Sequence, residues 1–278
     1  MKYKLVVDSS CDITPDVMAR TGAVKVPLVM LMGERSYIDD DNLDVKGFVD
    51  DMVAHKGPMR SGCPAPAEYA AHYTGDDPIF VVTLSSRLSG SYASAVAGIT
   101  LARDQGHKAD VYVFDSKSAS PGQVTIALLI EELAGSGFSK EEIIEKVETH
   151  IKRQQTLFIL EDVTNMVKNG RMSRVAGTFV TALHIRPLLA SDGDGNIVRV
   201  DKARGTAATV KRLVEVMGER CSDMSDKTLV ITHCFNPDMA NYLKALAEER
   251  YNFKKIVLSG MGGLSAMYAG KGGVLTAF

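Results

Sequence analysis

The chain has 278 residues, of which 45% are hydrophobic and 24% charged. This composition is typical of a folded protein and excludes intrinsic disorder, and the length is sufficient for two domains with separate cores. The chain carries 32 basic and 34 acidic side chains, so its formal net charge is only −2. No overall positive field attracts nucleic acid, and we expect no nucleic-acid partner.

The chain shows no signal for a membrane span, a signal peptide or a disulfide framework. Its longest uncharged run, residues 88–102, is shorter and more polar than the ~20 apolar residues that a span needs. The N-terminal segment reaches the acidic Asp8 too early for a signal peptide, so we expect a cytoplasmic protein. The four cysteines form no Cys-x-x-Cys pair, which predicts neither disulfides nor a metal site.

The first half of the chain alternates short β-branched runs with helical patterns. Strands are predicted at residues 4–7, 23–32, 79–84 and 111–114. Helices are predicted after Pro15 and over residues 44–55, 67–73 and 90–104. Such alternation predicts an α/β domain with a mainly parallel sheet and helices on both faces.

A clear helix over residues 139–152 marks the predicted boundary between two domains. Ser139 and Glu142 form a capping box at its start. Beyond it, strands are predicted at residues 156–161, 185–190, 197–200, 229–232, 255–258 and 274–278, with helices over 206–219 and after Pro237. The short turn at 191–196 makes an antiparallel hairpin, so the second sheet is predicted to be mixed. We therefore expect an N-terminal domain over 1–155 and a C-terminal domain over 156–278.

Hydroxyl and carboxyl side chains follow three strands of the first half. The first strand ends at Asp8 and Ser9, and the last ends at Asp115 and Ser116. Ligands of open α/β sheets bind beyond the carboxyl ends of the strands, so these four residues are candidates for supporting one site. The alternative is that they only begin loops and cap helices, as Ser and Asp often do.

The third of these strand ends leads directly into a helix. Ser86, Ser89 and Gly90 lie before the helix, whose free N–H groups favour a carboxylate or phosphate. A second candidate hydroxyl, Ser61, lies in the segment 60–66, which contains two prolines. Arg204 lies between a strand and a helix, where its guanidinium can reach a carboxylate across a domain interface.

Basic residues also collect at Lys168, Arg171 and Arg174 around a predicted turn. A solvated surface is one explanation, and a patch for a partner protein or a membrane is the other. The motifs of serine hydrolases, P-loop proteins and dinucleotide-binding folds are absent from the sequence. The sequence thus predicts a site that binds an anionic group but gives no sign of a catalysed reaction. We expect no cofactor and no metal.

Several motifs resemble those of the DegV family in order and spacing over nearly the whole chain. They are Asp8-Ser9-Ser10-Cys11-Asp12, the segment 61–66, Ser85-Ser86-Arg87-Leu88-Ser89-Gly90-Ser91-Tyr92, Asp115-Ser116, Asn169-Gly170-Arg171-Met172, Arg186-Pro187-Leu188-Leu189 and Lys202-Ala203-Arg204-Gly205. The resemblance implies two α/β domains that enclose a long-chain fatty acid, with its carboxylate at the domain interface and its acyl chain in a buried tunnel.

The resemblance also implies a function without catalysis in this chain. DegV-like proteins are fatty-acid-binding subunits that present the carboxylate to a separate ATP-dependent fatty acid kinase and then carry the acyl phosphate. By this resemblance Ser61 replaces a family threonine, Ser89 or Ser86 is the second carboxylate ligand, and Arg204 lies beside the head group. Tyr268 stands where family members often have a histidine. Lys168, Arg171 and Arg174 would then meet the kinase or, transiently, a membrane.

Two other hypotheses remain open at this stage. An enzyme acting on a small carboxylated or phosphorylated metabolite would use Asp8, Asp115 and Ser89 as acid, base and anchor, in a polar, hydrated cleft. A regulatory sensor of the same ligand cannot be distinguished from a carrier by sequence. The apolar segments 124–130 and 175–185 are candidate tunnel walls, with ordinary core packing as the alternative.

Overall fold

The computed structural model describes residues 1–172 and 185–278. The described residues form thirteen strands. In chain order these are β1 (Lys4–Asp8), β2 (Val24–Val26), β3 (Val29–Met32), β4 (Arg35–Ile38), β5 (Met59–Gly62), β6 (Ile79–Thr83), β7 (Val111–Asp115), β8 (Thr156–Ile159), β9 (Ile185–Ser191), β10 (Ile197–Arg204), β11 (Thr228–His233), β12 (Lys255–Gly260) and β13 (Val274–Ala277).

The helices in the same residues lie between these strands. They are Pro15–Thr21, Val45–Ala54, Pro66–Ala70, Ser91–Asp104, Pro121–Gly135, Lys140–Arg153, Thr164–Lys168, Thr206–Arg220, Pro237–Arg250 and Gly263–Ala269. Four of them begin with proline, whose fixed φ and missing N–H suit the first helical position. The predicted capping box of Ser139 and Glu142 is present at the start of Lys140–Arg153.

The first sheet is parallel, with strand order β2-β1-β6-β7. Its two faces pack against different helices because successive side chains of a strand point in opposite directions. Leu5 and Phe80 join a core with the helices Pro121–Gly135 and Lys140–Arg153. Val6 belongs to a second core on the opposite face, with the helices Pro66–Ala70 and Ser91–Asp104. The predicted parallel sheet with helices on both faces is confirmed.

A small antiparallel sheet, of order β4-β3-β5, differs from the prediction. The predicted single strand over residues 23–32 is wrong, because it is divided between β2 and β3. Pro27 lies at the division, and proline has no N–H to donate to a strand ladder. Strand β5 contains Ser61, so this hydroxyl is held by main-chain pairing with β3 rather than by a loop.

The second large sheet is mixed, with order β10-β9-β8-β13-β11-β12. The predicted hairpin of β9 and β10 is present, and the pair β11 and β12 is parallel. The helices Thr206–Arg220 and Pro237–Arg250 cover one face. The helix Pro121–Gly135 contacts strands of both large sheets. Because this helix packs against both sheets, the boundary between two domains at residue 155 stays a prediction.

A third core lies between the small sheet and the other face of the mixed sheet. It is rich in methionine: Met30, Met32, Met52, Met59, Met166, Met172, Met261 and Met267 belong to it. Methionine is unbranched and flexible, so this core can fit irregular shapes. Across the described ranges, every helix is too short or too polar to cross a membrane.

Two buried carboxylates fix the start of the helix Gly263–Ala269 to the first half of the chain. Asp39 accepts hydrogen bonds from the N–H groups of Gly263 (2.8 Å) and Leu264 (3.1 Å). Asp12 accepts one from the N–H of Gly262 at 2.7 Å. Acidic groups are favoured at a helix N-terminus because its N–H groups carry positive partial charge. The position of this helix therefore depends on residues more than 200 positions away.

Replacement of Asp39 tests this cap. We expect Asp39→Ala to lower the free energy of unfolding by about 2 to 3 kcal/mol, because it leaves two buried N–H groups without acceptors. Asp41→Ala is the matched control, since Asp41 is exposed and makes an ion pair with Lys25 that is worth at most about 1 kcal/mol. Urea unfolding measures both. Equal losses in the two variants would contradict the cap.

Asp12 predicts a specific dependence of stability on pH. Burial raises the pKa of Asp12 to about 7, whereas an unfolded Asp has a pKa of ~3.9. The folded chain therefore binds the proton more tightly, and its stability falls as pH rises between these two values. Asp12→Asn cannot ionise. Between about pH 5 and pH 8, we expect the free energy of unfolding to fall by about 2 to 3 kcal/mol less in this variant than in the wild-type chain, as measured by urea unfolding. An unchanged pH slope would contradict this.

Candidate functional site

A cavity of about 290 Å³ lies between the parallel sheet, the small sheet and the mixed sheet. Its surface is mainly carbon, with Leu28, Leu84, Phe158, Leu264 and Leu275 among the lining residues. Ligand sites commonly have this character, with a few polar groups that orient the ligand. Among the described lining residues, only Lys117 and Arg171 carry a charge. The cavity thus suits a mostly apolar ligand with a polar or anionic end.

Ser61 and Tyr268 meet in the cavity wall, although they are 207 residues apart in the chain. Their hydroxyl oxygens are 2.8 Å apart. Strand β5 positions Ser61, and the helix capped by Asp39 positions Tyr268. One hydroxyl donates to the other, which leaves one hydroxyl hydrogen of the pair for a ligand.

Ser89 and Gly90 also line the cavity, at the entry to the helix Ser91–Asp104. The hydroxyls of Ser89 and Ser91 are 2.9 Å apart, and the N–H of Ser91 donates to the Ser89 oxygen at 3.2 Å. Ser89 is the member of this pair that lines the cavity, and its hydrogen is free for a ligand when Ser91 donates to it. Gly90 is closely packed, because a Cβ at this position would lie 2.9 Å from the Cys63 sulfur. Cys63, which the sequence analysis did not select, is therefore part of the same wall.

The three residues of the predicted basic patch have different positions. Arg171 is half-buried and lines the cavity, and its guanidinium donates to the carbonyl oxygens of Leu88 (3.1 Å) and Asn169 (2.6 Å). Lys168 is exposed at the end of the helix Thr164–Lys168. Arg174 lies outside the described residues, as do residues 175–184 of the candidate wall segment 175–185.

Arg204 and Ser86 are not among the described residues that line the cavity. Arg204 is exposed at the end of β10. Ser86 is also exposed, and its hydroxyl donates to Asp115 at 2.6 Å. The segment 124–130 lies in the helix Pro121–Gly135, where most of its side chains are buried in the core between the sheets.

The four candidate supporting residues hold the loops around the cavity by hydrogen bonds within the protein. Asp8 is buried, and it accepts from the Ser10 hydroxyl and the Leu84 N–H. Burial raises the pKa of Asp8, while these hydrogen bonds oppose the rise. Ser9 accepts from the Leu28 N–H. Asp115 and Ser116 bind the backbone that follows them: Asp115 accepts from the Lys117 N–H, and the Ser116 hydroxyl donates to the Ser118 carbonyl.

The loop from Lys117 to Ser120 forms a further part of the wall that the sequence analysis missed. Lys117 and Ser120 both have φ near +50°, which is costly for residues other than glycine. The Ser120 hydroxyl bonds to Asp12 and lies 2.8 Å from the Thr232 hydroxyl. The run of serines before Pro121 is the signal that could have identified this loop.

The hairpin of β9 and β10 closes the wall from the side of the mixed sheet. Its turn residue Gly195 has φ +93°, and its carbonyl accepts from the Ser85 hydroxyl at 3.1 Å. A Cβ at Gly195 would lie 2.2 Å from that hydroxyl oxygen, so only glycine fits. Ser191 donates to the Lys117 carbonyl at 3.2 Å. Contacts across the two halves of the chain thus enclose the cavity.

The wall hydroxyls differ in how completely the protein uses them. Ser10, Ser118 and Ser120 each bond to other protein groups: Ser10 to Asp8, Ser118 to Thr156 and Ser120 to Asp12. The pairs Ser61–Tyr268 and Ser89–Ser91 each retain a donor. In the described part of the chain, no cluster of His, Cys, Asp and Glu side chains is suited to a metal ion. The arrangement can therefore receive an acid group at these two pairs.

Comparison with known proteins relates the whole chain to one family. The sequence profile of the DegV family matches residues 2–277. A DegV domain-containing protein of Streptococcus gordonii is 29% identical over 280 residues, which cover 100% of this chain and 99% of the relative.

Solved structures agree with this relationship. A DegV family protein of Ruminococcus gnavus, refined with vaccenic acid, has a TM-score of 0.94 and 33% identity, with 99% of each chain covered. The fatty acid kinase (Fak) B3 protein of Streptococcus pneumoniae, loaded with linoleic acid, has a TM-score of 0.92 and 28% identity. That similarity covers 100% of this chain and 99% of the other. The match over nearly the full length shows that this chain belongs to the DegV family.

Proposed function

We propose that the protein binds a long-chain fatty acid in the cavity, with its carboxylate at the hydroxyl pairs Ser61–Tyr268 and Ser89–Ser91. The observation that carries the proposal is the combination of a carbon wall with two hydroxyl donors that the protein leaves unused. The fatty acids bound by the relatives from R. gnavus and S. pneumoniae support it.

The balance of free energies is consistent with such a ligand. Burial of about 14 methylenes at ~0.8 kcal/mol each gives roughly 11 kcal/mol, against association costs of about 4 to 15 kcal/mol. The acyl chain therefore drives binding. The carboxylate still needs partners, because an unpaired buried carboxylate costs several kcal/mol or takes up a proton. Hydroxyls serve the acid in either protonation state.

Arg171 is the basic residue that we assign to the region of the head group. It lines the cavity, and its bonds to Leu88 and Asn169 hold it in the wall. Arg204 and Ser86, which the family resemblance placed at the carboxylate, stay outside our assignment because of their exposed positions.

We further propose that the chain is a carrier subunit, and that a separate ATP-dependent fatty acid kinase phosphorylates the bound acid. The relative named as a fatty acid kinase B3 protein supports this partnership. The protein would act in the cytoplasm and carry the acyl phosphate. Lys168 is exposed, which suits contact with the kinase or a transient contact with an anionic membrane surface.

The alternative of an enzyme for a small polar metabolite is less compatible with this site. Its proposed acid and base, Asp8 and Asp115, are not among the described cavity-lining residues. Asp8 is completely buried and already hydrogen-bonded. The carbon surface of the cavity would also leave a small, highly charged substrate poorly solvated.

Extraction of the purified chain tests the proposed ligand. We expect organic solvent to release close to one long-chain fatty acid per chain, because the carbon wall favours retention during purification. Mass spectrometry of the extract and titration of the stripped chain with oleic acid measure this. A chain that yields no acyl ligand and does not bind added oleic acid would contradict the proposal.

Single substitutions test the two hydroxyl pairs. We expect Ser61→Ala and Ser89→Ala each to weaken oleate binding by about 10- to 100-fold, since a hydrogen bond to a charged group contributes ~1.5 to 3 kcal/mol. Ser265→Ala is the matched control: Ser265 lines the same cavity, but its hydroxyl donates to the Ser10 carbonyl. Displacement of a fluorescent fatty acid gives the affinities. Unchanged binding in both test variants would remove these pairs from the site.

A further inference from the structure

A second cleft, of about 250 Å³, lies apart from the cavity of the proposed fatty-acid site. It is formed by one face of the helix Pro121–Gly135, one face of the helix Lys140–Arg153 and the chain segment that enters β11. The cavity and this cleft have no described lining residue in common. The cleft is therefore a separate space, and the proposed carrier function gives it no role.

Helical spacing brings cationic side chains to one side of this cleft. Lys146, His150 and Arg153 lie four and three positions apart in the second of these helices, which places them in a row on one helix face. The ammonium group of Lys146 lies 4.9 Å from the centre of the Phe138 ring, a contact that favours its position there. Lys227, from the segment before β11, lines the same cleft. Three cations and one histidine thus surround one space.

The positive charges of this cleft are only partly balanced within the protein. Of the two described acids that line it, Glu132 is already paired with Lys254 at 2.6 Å, which leaves Asp226. In the part of the chain that the structure describes, the side chains of Arg153 and Lys227 make no hydrogen bond or ion pair. Like charges that share one cleft repel each other, so a bound anion lowers the electrostatic free energy.

His150 adds a ring nitrogen that is open to a ligand. Its Nε2 lies 3.2 Å from the Thr125 hydroxyl oxygen and 3.3 Å from the Gln154 side-chain nitrogen, so the protein holds this side of the ring. Its Nδ1 has no partner across residues 1–172 and 185–278 and is not enclosed by them. Burial, with a smaller effect of the nearby Lys227, lowers the pKa of His150 to about 4. The ring is therefore neutral near pH 7, and it reports a bound anion by a change in its environment.

The remaining surface of the cleft is apolar and indicates an organic ligand. Leu128, Leu129 and Leu133 line the cleft from the helix Pro121–Gly135, and Leu129 is only half-buried. An inorganic anion leaves these side chains uncovered, whereas an organic group removes their surface from water. A phosphate monoester carries close to two negative charges at pH 7 and three acceptor oxygens. It matches three cations better than a single carboxylate does.

We propose that this cleft is a second ligand site, which binds a small phosphate monoester. The phosphate oxygens accept charge-assisted hydrogen bonds from Lys146, Arg153 and Lys227. The organic group packs on Leu128 and Leu129. The inference goes beyond the proposed function and does not depend on it, because the two sites have no described lining residue in common.

NMR titration of the full chain tests this site. The probes are inorganic phosphate and phenyl phosphate, added at pH 7 with sodium chloride to keep the ionic strength constant. The imidazole signals of His150, identified by their absence from the His150→Gln chain, report binding. We expect them to shift to saturation with both probes, and phenyl phosphate to bind about 3- to 10-fold more tightly because its ring covers the leucines. The signals of His107, which lies outside the cleft, should not shift.

Substitutions of the cations identify the phosphate contacts. We expect Arg153→Gln and Lys227→Gln each to weaken phenyl phosphate binding by about 3- to 10-fold. Lys152→Gln is the matched control, since it removes the same charge from an exposed position of the same helix outside the cleft, and it should bind as the wild-type chain does. Shifts that rise without saturation, or equal losses in all three variants, would overturn the inference. Phenyl phosphate that binds no more tightly than inorganic phosphate would overturn the assignment of an ester.

Discussion

The capping of one short helix by two distant carboxylates is the interaction on which the site depends. Asp12 and Asp39 accept the N–H groups at the start of Gly263–Ala269, and Tyr268 at the end of this helix then reaches Ser61. Both carboxylates come from the first half of the chain and the helix from the second. Burial raises the pKa of both acids, so their ionisation in the folded chain is unfavourable. The free energy of unfolding therefore falls as the pH rises and the two carboxyl groups ionise.

The cavity combines an adaptable apolar wall with a rigid polar end. Methionines are common in the core between the small and mixed sheets, and Met166 of that core lines the cavity, where its flexible side chain can adapt to an acyl chain. The polar end is fixed differently: strand pairing holds Ser61, and a helix N-terminus holds Ser89. Such a division suits a carrier that accepts variable tails and presents one acid group in a constant position.

The sequence predicted the framework well because its strands are buried, β-branched and separated by capped helices. Ser61, Ser89 and Tyr268 were selected from loop chemistry and family resemblance, and the structure places all three in one cavity wall. Strands β4 and β5 were missed because they are short and polar. The caps by Asp12 and Asp39 join distant residues, which no local pattern shows. The local sequence also does not show that the Arg171 side chain lines the cavity.

The most direct test of the account is a crystal structure of the chain with a long-chain fatty acid that carries bromine on its terminal carbon. Anomalous scattering locates the bromine, and the density locates the carboxylate. The account predicts the carboxylate within hydrogen-bond distance of Ser61, Tyr268 and Ser89, and the bromine enclosed by the carbon wall. A reversed ligand, or one bound outside this cavity, would contradict it.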